Sequence, residues 1–433
     1  MDMISTLSDD LLLKILSSLP TKDVLSTMLL SKRWKSLWTM VPTLYFQNGF
    51  ESSKDDYAKF RQHVYLFMAL HKSPTLETLK LRLGWHSTAD DIATWIKIAM
   101  ARYRVRKLKI HRCCSDDDLV LPRCLYTYDN LEVLKLRDSI VLEVPREVHL
   151  PSLKTLHLLC VEFRSEESDF ARGLLSGCPV LEELVLDKSE NVSPPCFYVE
   201  VPSLKRLSIV DTDHREENDS DVKVVIKTPS LKYLNVVDRC DSGLLFLSES
   251  MPEMVVANVN VVYKRPEMLM RSFTSVKRLS LCLTTSMIQH RIEFNQLVHL
   301  ELCSSVEKWC ELLNWMLERS PKLQVLKLIK CKAHRFVYAK DIEFPWGKPR
   351  SVPECLMFHL NTFEWNYYNG CREEKKMVAY ILRHAKLLKT AKISMWDLDC
   401  EAEPHIFKEW RSFHMASKSC QLLSEHEPKG IWS

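Results

Sequence analysis

Leu76-Glu77-Thr78-Leu79-Lys80-Leu81 holds an apolar residue, two variable positions, a second apolar residue, one variable position and a third. The same spacing returns at Val105/Leu108/Ile110, Leu131/Leu134/Leu136, Leu153/Leu156/Leu158, Leu181/Leu184/Leu186, Leu204/Leu207/Ile209 and Leu231/Leu234/Val236. It continues at Val276/Leu279/Leu281, Leu297/Leu300/Leu302, Leu323/Leu326/Leu328 and Leu360/Phe363/Trp365. Met254/Ala257/Val259 fills a gap of 45 residues, and Val41/Leu44/Phe46 and Leu388/Ala391/Ile393 extend the series at its ends. Alternation over the last three positions of each unit predicts a short strand with one buried face.

Most steps fall between 21 and 29 residues, the period of leucine-rich repeats, in which each unit supplies one strand and a return segment. Such units bury their apolar faces only against neighbours, so the expected fold is an α/β repeat, a solenoid curved into a horseshoe with an extended binding surface. Helical spacing at Phe60/Val64/Phe67, Ile92/Trp95/Ile96/Ala99/Met100/Tyr103, Phe170/Leu174/Cys178 and Trp309/Leu312/Leu313/Met316/Leu317 predicts helices on the convex side. Short repeats such as Leu131 to Leu153 leave room only for irregular return chain. The polar stretches at Asp116-Asp117-Asp118 and from Asp213 to Asp221 read as solvated loops.

At 433 residues, with 46% apolar and 27% charged residues, the chain is folded but carries no apolar run of membrane-spanning length. Met1-Asp2-Met3-Ile4 opens with neither a basic nor an apolar segment, so no secretory signal is expected and the location is nucleus or cytoplasm. The fifteen cysteines include no Cys-x-x-Cys pair and read as buried thiols. His111, Cys113, Cys114 and Cys124 lack metal spacing. A net charge of +4 gives no general attraction to nucleic acid, and the eight glycines form no phosphate loop. No metal or cofactor is expected, and no catalytic constellation is visible.

Before the repeats, Leu11, Leu12, Ile15, Leu16 and Leu19 form a helical stripe, with Ser8 placed to cap it and Asp9 and Asp10 in its first turn. Pro20 ends this helix; Thr21 and Ser31 are placed to cap a second and a third, the latter carrying Trp34, Leu37 and Trp38. Three short helices cannot enclose all these side chains, which leaves apolar surface either for a partner or for capping the first repeat.

The motifs Leu7-Ser8-Asp9-Asp10-Leu11-Leu12, Ile15-Leu16-Ser17-Ser18-Leu19-Pro20-Thr21-Lys22-Asp23 and Leu30-Ser31-Lys32-Arg33-Trp34-Lys35-Ser36-Leu37-Trp38 closely resemble the plant F-box. The proline that follows the first leucine in that family, on its adaptor-facing edge, is Ser8 here. From Pro353 the chain resembles the FBD region of plant F-box proteins at Cys355, Leu356, Leu360, Phe363, Trp365, Tyr368, Gly370 and Glu373, and Ser412 to Leu423 fits that family's tail. The implied layout is a three-helix F-box over 1–41, leucine-rich repeats over 42–345, and an FBD-type cap over 346–425. Read from the residues, the cap is one strand, a loop at Asn369-Gly370, an amphipathic helix through Met377, Ile381, Leu382 and Ala385, and a last strand.

The resemblance implies the non-catalytic substrate receptor of a Skp–cullin–F-box ubiquitin-protein ligase. Leu7, Ser8, Leu11, Leu12, Ile15, Leu16, Pro20 and Trp34 would then face the Skp adaptor, which connects to cullin–RING, while the repeats hold a protein target. A scaffold that does not engage the ligase, or an enzyme with a site hidden in the solenoid, remain as rivals. Strand positions between the leucines place Lys80, Arg82, Lys107, Lys109, His111, Lys135 and Arg137 on the concave face, a patch with no evident counter-charge that either favours an anion or, as most charge clusters do, simply keeps an exposed sheet soluble.

Overall fold

A computed structural model describes residues 4–49, 52–73, 75–113, 117–164, 170–188, 196–211, 223–238, 244–247, 251–262, 266–284, 292–304, 309–329, 346–368, 370–394 and 403–425. They fall into two compact units, Met1–Asp213 and His214–Ser433.

In the first unit the repeats contribute parallel strands at Thr43–Gln47, Thr78–Leu83, Lys107–Arg112, Val133–Arg137, Thr155–Leu159, Glu183–Lys188 and Arg206–Asp211. Register aligns the repeated leucines. Leu79 stands opposite Leu108, which faces Leu134, then Leu156, Leu184 and Leu207, and Leu81 starts a second such row through Ile110 and Leu136. Every one of these side chains is buried, each worth about 1.5–3 kcal/mol in removed apolar surface. The leading residue of each triplet, such as Leu76, Leu131 or Leu153, enters the same core before its strand begins. The ladder also starts one residue early, since Glu132 N–H donates to the Arg106 carbonyl and Lys154 N–H to that of Glu132.

Two helices cover the first repeats. Lys54–Leu70 begins with a capping box between Ser53 and Asp56, and Ala89–Arg102 begins with Thr88 accepting from the Asp91 N–H. The helical spacing is matched by burial of Val64, Phe67, Ile92, Trp95, Ile96 and Ala99. Between them the buried Asp91 carboxylate accepts from Tyr57 at 2.8 Å, Tyr65 at 3.2 Å and Thr88 at 2.9 Å. The short repeat Leu131 to Leu153 differs from expectation: instead of returning by irregular chain alone it carries Ile140–Leu142, which pairs with Leu119–Val120 and Glu162–Phe163 of the neighbouring repeats in a small parallel sheet. Their alternating hydrogen-bonding groups satisfy each other where no helix fits.

The aspartate stretch is likewise more than a solvated loop. Asp116 lies outside the described residues, but the Asp117 carboxylate pairs with the fully buried Arg112 guanidinium, and Asp118 with Arg164 at 2.6 Å. Residues 213–221 lie outside the described residues.

The second unit carries strands at Tyr233–Asp238, Val256–Val262, Arg278–Thr284, His299–Cys303, Val325–Ile329, Thr362–Asn366, Thr390–Ser394 and Gln421–Glu425. Leu234, Ala257, Leu279, Leu300, Leu326, Phe363 and Ala391 form one buried row, and the gap-filling Met254 is buried with them. Trp309–Arg319 buries Trp309, Leu312, Leu313, Met316 and Leu317, as its spacing requires. In the C-terminal region, Arg372–His384 buries Met377, Val378, Ile381 and Leu382. Asn369 lies outside the described residues. The expected last strand is not last: helix Glu403–Ser412 follows it, and Gln421–Glu425 pairs parallel to Thr390–Ser394. Buried Trp410 stacks on Phe363 at 6.0 Å, which anchors the added helix on the strand core.

Candidate functional site

The N-terminal helices run Asp9–Leu16, Thr21–Ser26 and Trp34–Leu37, interleaved with 3-10 turns at Thr27–Leu29 and Trp38–Met40. Ser8 sits at the first cap in extended conformation, but its side chain makes no capping bond. Thr21 is not a cap either: Pro20 holds that position, and Thr21 is buried. Arg33, not Ser31, precedes the third helix, and it bonds Asp9 and the Leu7 carbonyl, tying the ends of the segment together.

Burial divides the predicted adaptor residues. Leu11 and Ile15 are 49% and 48% exposed, whereas Leu12, Leu16 and Trp34 are 0%, 1% and 6% exposed. The expectation that Leu12, Leu16 and Trp34 offer a contact surface is therefore corrected: they form the core of the segment. Helix geometry is the reason, because Leu11 and Ile15 lie one turn apart on one line and Leu12 and Leu16 on the next, about 100° around. Ser8 is exposed, and Leu7 and Pro20 are half-buried. Sequence reading missed Ile4, Leu29 and Leu30, which are exposed as well, Leu29 at 91%. They lie off the Leu11–Leu19 stripe, and only the fold shows that they stay exposed among the described residues.

On the sheet, the residues between the leucines form three rows across the strands. The first runs Thr78, Lys107, Val133, Thr155, Glu183; the second Tyr45, Lys80, Lys109, Lys135, His157, Val185; the third Gln47, Arg82, His111, Arg137, Leu159, Asp187. The seven predicted cations thus do share one face, but not one environment. Lys107 pairs with Glu77 at 2.7 Å, and this bond holds the Glu77 carboxyl below the usual glutamate range. Asp138, in left-handed backbone at φ 57°, lies 2.9 Å from His111 and 3.4 Å from Arg137. Burial holds His111 below the ordinary imidazole value despite Asp138, so it is a neutral hydrogen-bonding partner at neutral pH and not a cation. The expectation of a face without internal partners is corrected for Lys107, His111 and Arg137.

The middle row behaves differently. Lys80 lies over the Tyr45 ring at 3.8 Å. Among the described residues, no carboxylate stands within ion-pair reach of Lys109 or Lys135. Burial, then the charges of Lys135, Lys80 and Lys107, hold Lys109 below the usual lysine range. His157 follows Lys135 in the row, with Nε2 at 2.8 Å from Glu183, and burial keeps its pKa low. In the second unit the matching row is satisfied from within: Asn258 donates to Asn235 at 2.7 Å, Ser280 to Glu301 at 3.0 Å, and Lys327 pairs with Glu364 at 2.7 Å.

The thiols are partly as expected. Cys178, Cys282, Cys303, Cys310 and Cys355 are buried, but Cys124 is exposed, and Cys114 lies outside the described residues. Burial pushes Cys178, Cys310 and Cys355 up to about 12, so these three are unreactive at neutral pH. Among the described residues no helix is long and apolar enough to cross a membrane.

Three family models match along the chain: the F-box domain over residues 4–45, the leucine-rich repeats of the FBD-associated F-box protein At5g56370 over 92–245, and FBD over 348–393. A protein named as an FBD-associated F-box protein, At3g50710 of Arabidopsis thaliana, is 52% identical, covering 98% of this chain and all of that protein. The chain belongs to the FBD-associated F-box family. Two further Arabidopsis thaliana members, F-box/FBD/LRR-repeat proteins At4g26340 and At5g56420, are 42% and 41% identical over 98% of this chain. No enzymatic domain is indicated by the family models that match this chain. F-box domains generally bind Skp-type adaptors, and the exposed Leu11 and Ile15 lie inside the matched F-box.

Proposed function

We propose that this chain is the substrate-recognition subunit of a Skp–cullin–F-box ubiquitin-protein ligase. The observation that carries the reading is the split of the first F-box helix into a buried line, Leu12 and Leu16, and an exposed apolar line, Leu11 and Ile15. A helix with both lines apolar has one more face than its own domain uses, and the second suits a partner. Ile4, Leu29 and Leu30 enlarge the exposed apolar surface of the segment.

In this reading the F-box covers 1–41, a horseshoe of repeats 42–345 and the FBD-type cap 346–425, and the protein works in nucleus or cytoplasm. The F-box docks on the adaptor, and the half-exposed sheet face holds a protein target. Transfer of ubiquitin is done by the conjugating enzyme recruited through cullin–RING, so the chain acts by raising the effective concentration of a target lysine near activated ubiquitin.

The test is co-purification of the full chain with a Skp adaptor and cullin, followed by ubiquitination of captured proteins in a reconstituted reaction. Assembly of a complex that ubiquitinates them is expected. A chain that stays free of adaptor would make it a binding scaffold outside the ligase.

A further inference from the structure

The middle row of the first unit has no internal reason to be cationic. A lysine that only solubilises a sheet holds its ammonium in water, yet Lys80, Lys109 and Lys135 are all half-buried. They occupy adjacent strands in direct register, Lys80 opposite Lys109 and Lys109 opposite Lys135. Adjacent strands lie about 4.8 Å apart, so three like charges stand side by side where opposed like charges destabilise a sheet. The neighbouring rows show how this chain disposes of such charge: Glu77 takes Lys107, and Asp138 takes Arg137. Glu183 closes the far end at His157, and among the described residues nothing comparable serves Lys109 or Lys135. The equivalent row of the second unit pairs its own polar groups.

We propose that the Lys80–Lys109–Lys135 row is a docking surface for a phosphorylated serine or threonine carried on a segment of the protein target. The inference rests on the receptor reading above and names the chemistry of what the sheet face holds. Three features select this occupant. A phosphate monoester brings nearly two negative charges and three acceptor oxygens to one point, which two ammonium groups about 4.8 Å apart can share. An extended acidic segment spaces its same-side carboxylates about 6.7 Å apart, out of step with the row. Interspersed with the charged groups of the outer rows on the same face are half-buried Tyr45, Val133, Thr155, Leu159 and Val185, uncharged side chains that suit the rest of a peptide and offer nothing to a free anion. Docking there supplies the missing counter-charge to Lys109, whose pKa is now held down by burial and then by its lysine neighbours.

The test uses the full chain with adaptor and four probes at low salt: a pool of short peptides randomised around a central phosphoserine, the same pool with serine, the same pool with glutamate, and inorganic phosphate. The phosphoserine pool is expected to bind saturably and at least about tenfold more tightly than each of the others, and more weakly as salt is added. Lys109→Met and Lys135→Met should each weaken it about tenfold, Lys109→Arg should keep most of it, and Lys205→Met, at a lysine paired to Glu182, should change nothing. Equal binding of the serine pool, inorganic phosphate binding as tightly as the peptides, or a folded Lys135→Met chain with unaltered affinity would each overturn the proposal. Adaptor affinity is read on the same samples: loss of phosphopeptide binding with the adaptor still held rejects this inference alone, and phosphopeptide binding without adaptor rejects the receptor reading alone.

Discussion

The hydroxyl of Thr21 accepts a hydrogen bond from the backbone N–H of Tyr45 at 2.8 Å, which fastens the second F-box helix to the first strand of the sheet. Both partners then do more: Thr21 is buried, and the Tyr45 ring lies under Lys80. The F-box is thereby continuous with the first repeat, so the surfaces proposed above to face adaptor and target sit on one unit. Thr21→Val keeps the shape but leaves the Tyr45 donor unsatisfied, which costs about 1–3 kcal/mol. Urea unfolding should show that loss, while adaptor affinity measured on the folded chain should stay within about twofold.

Leu16→Ala should destabilise the F-box by about 2–5 kcal/mol, since it opens a cavity in the segment's core. Any loss of adaptor binding in this variant should therefore track unfolding and recover at lower temperature. Adaptor binding that is lost while the unfolding midpoint is unchanged would show that Leu16 reaches the interface after all.

That contrast marks what the sequence reveals and what it does not. Strand positions are legible because the leucine alternation has period two and every in-register neighbour repeats it, as in Leu79, Leu108 and Leu134. The stripe Leu11, Leu12, Ile15, Leu16 shows a helix with two apolar lines but not which one faces inward, because that depends on where Trp34 and Leu37 pack. Partners on the sheet face are hidden for a different reason. Glu77 neutralises Lys107 from 30 residues away, and Asp138 reaches His111 only because its backbone turns left-handed at a strand end. The strand Gln421–Glu425 escapes the triplet pattern because, among the described residues, it is an edge strand with one neighbour and little to bury.

Ser8→Pro should fold without strain, because Ser8 already holds φ −67°, near proline's fixed value, and its hydroxyl makes no cap bond to lose. Restricting the unfolded chain should raise stability by about 0.4–1 kcal/mol. Restoring the family residue at the adaptor-facing edge should also tighten adaptor binding; a titration of both chains reads this, and unchanged affinity would make serine a neutral variant.

His71 should make the protein acid-sensitive. Its Nε2 lies 2.8 Å from the Val41 carbonyl, it is fully buried, and Arg102 is close by. Burial chiefly holds its pKa below the ordinary 6.5. The unfolded chain therefore binds a proton more readily than the folded one, so this contribution is complete above the unfolded value and is lost as pH falls through the folded one. Urea midpoints between about pH 7.5 and 5.5 should fall more steeply for the wild type than for His71→Gln, which donates to Val41 without titrating. Parallel slopes would mean that His71 does not carry the effect.

The most direct measurement is the dissociation constant of a Skp adaptor for the full chain, wild type beside Ile15→Asp, each with its urea midpoint. Ile15 is half exposed, so a charge there is tolerated by the fold but would be desolvated in an interface. The account predicts saturable binding by the wild type, weakened at least about a hundredfold by Ile15→Asp with the midpoint unmoved. Equal affinity of the two chains, or no saturable binding by the wild type, would contradict it.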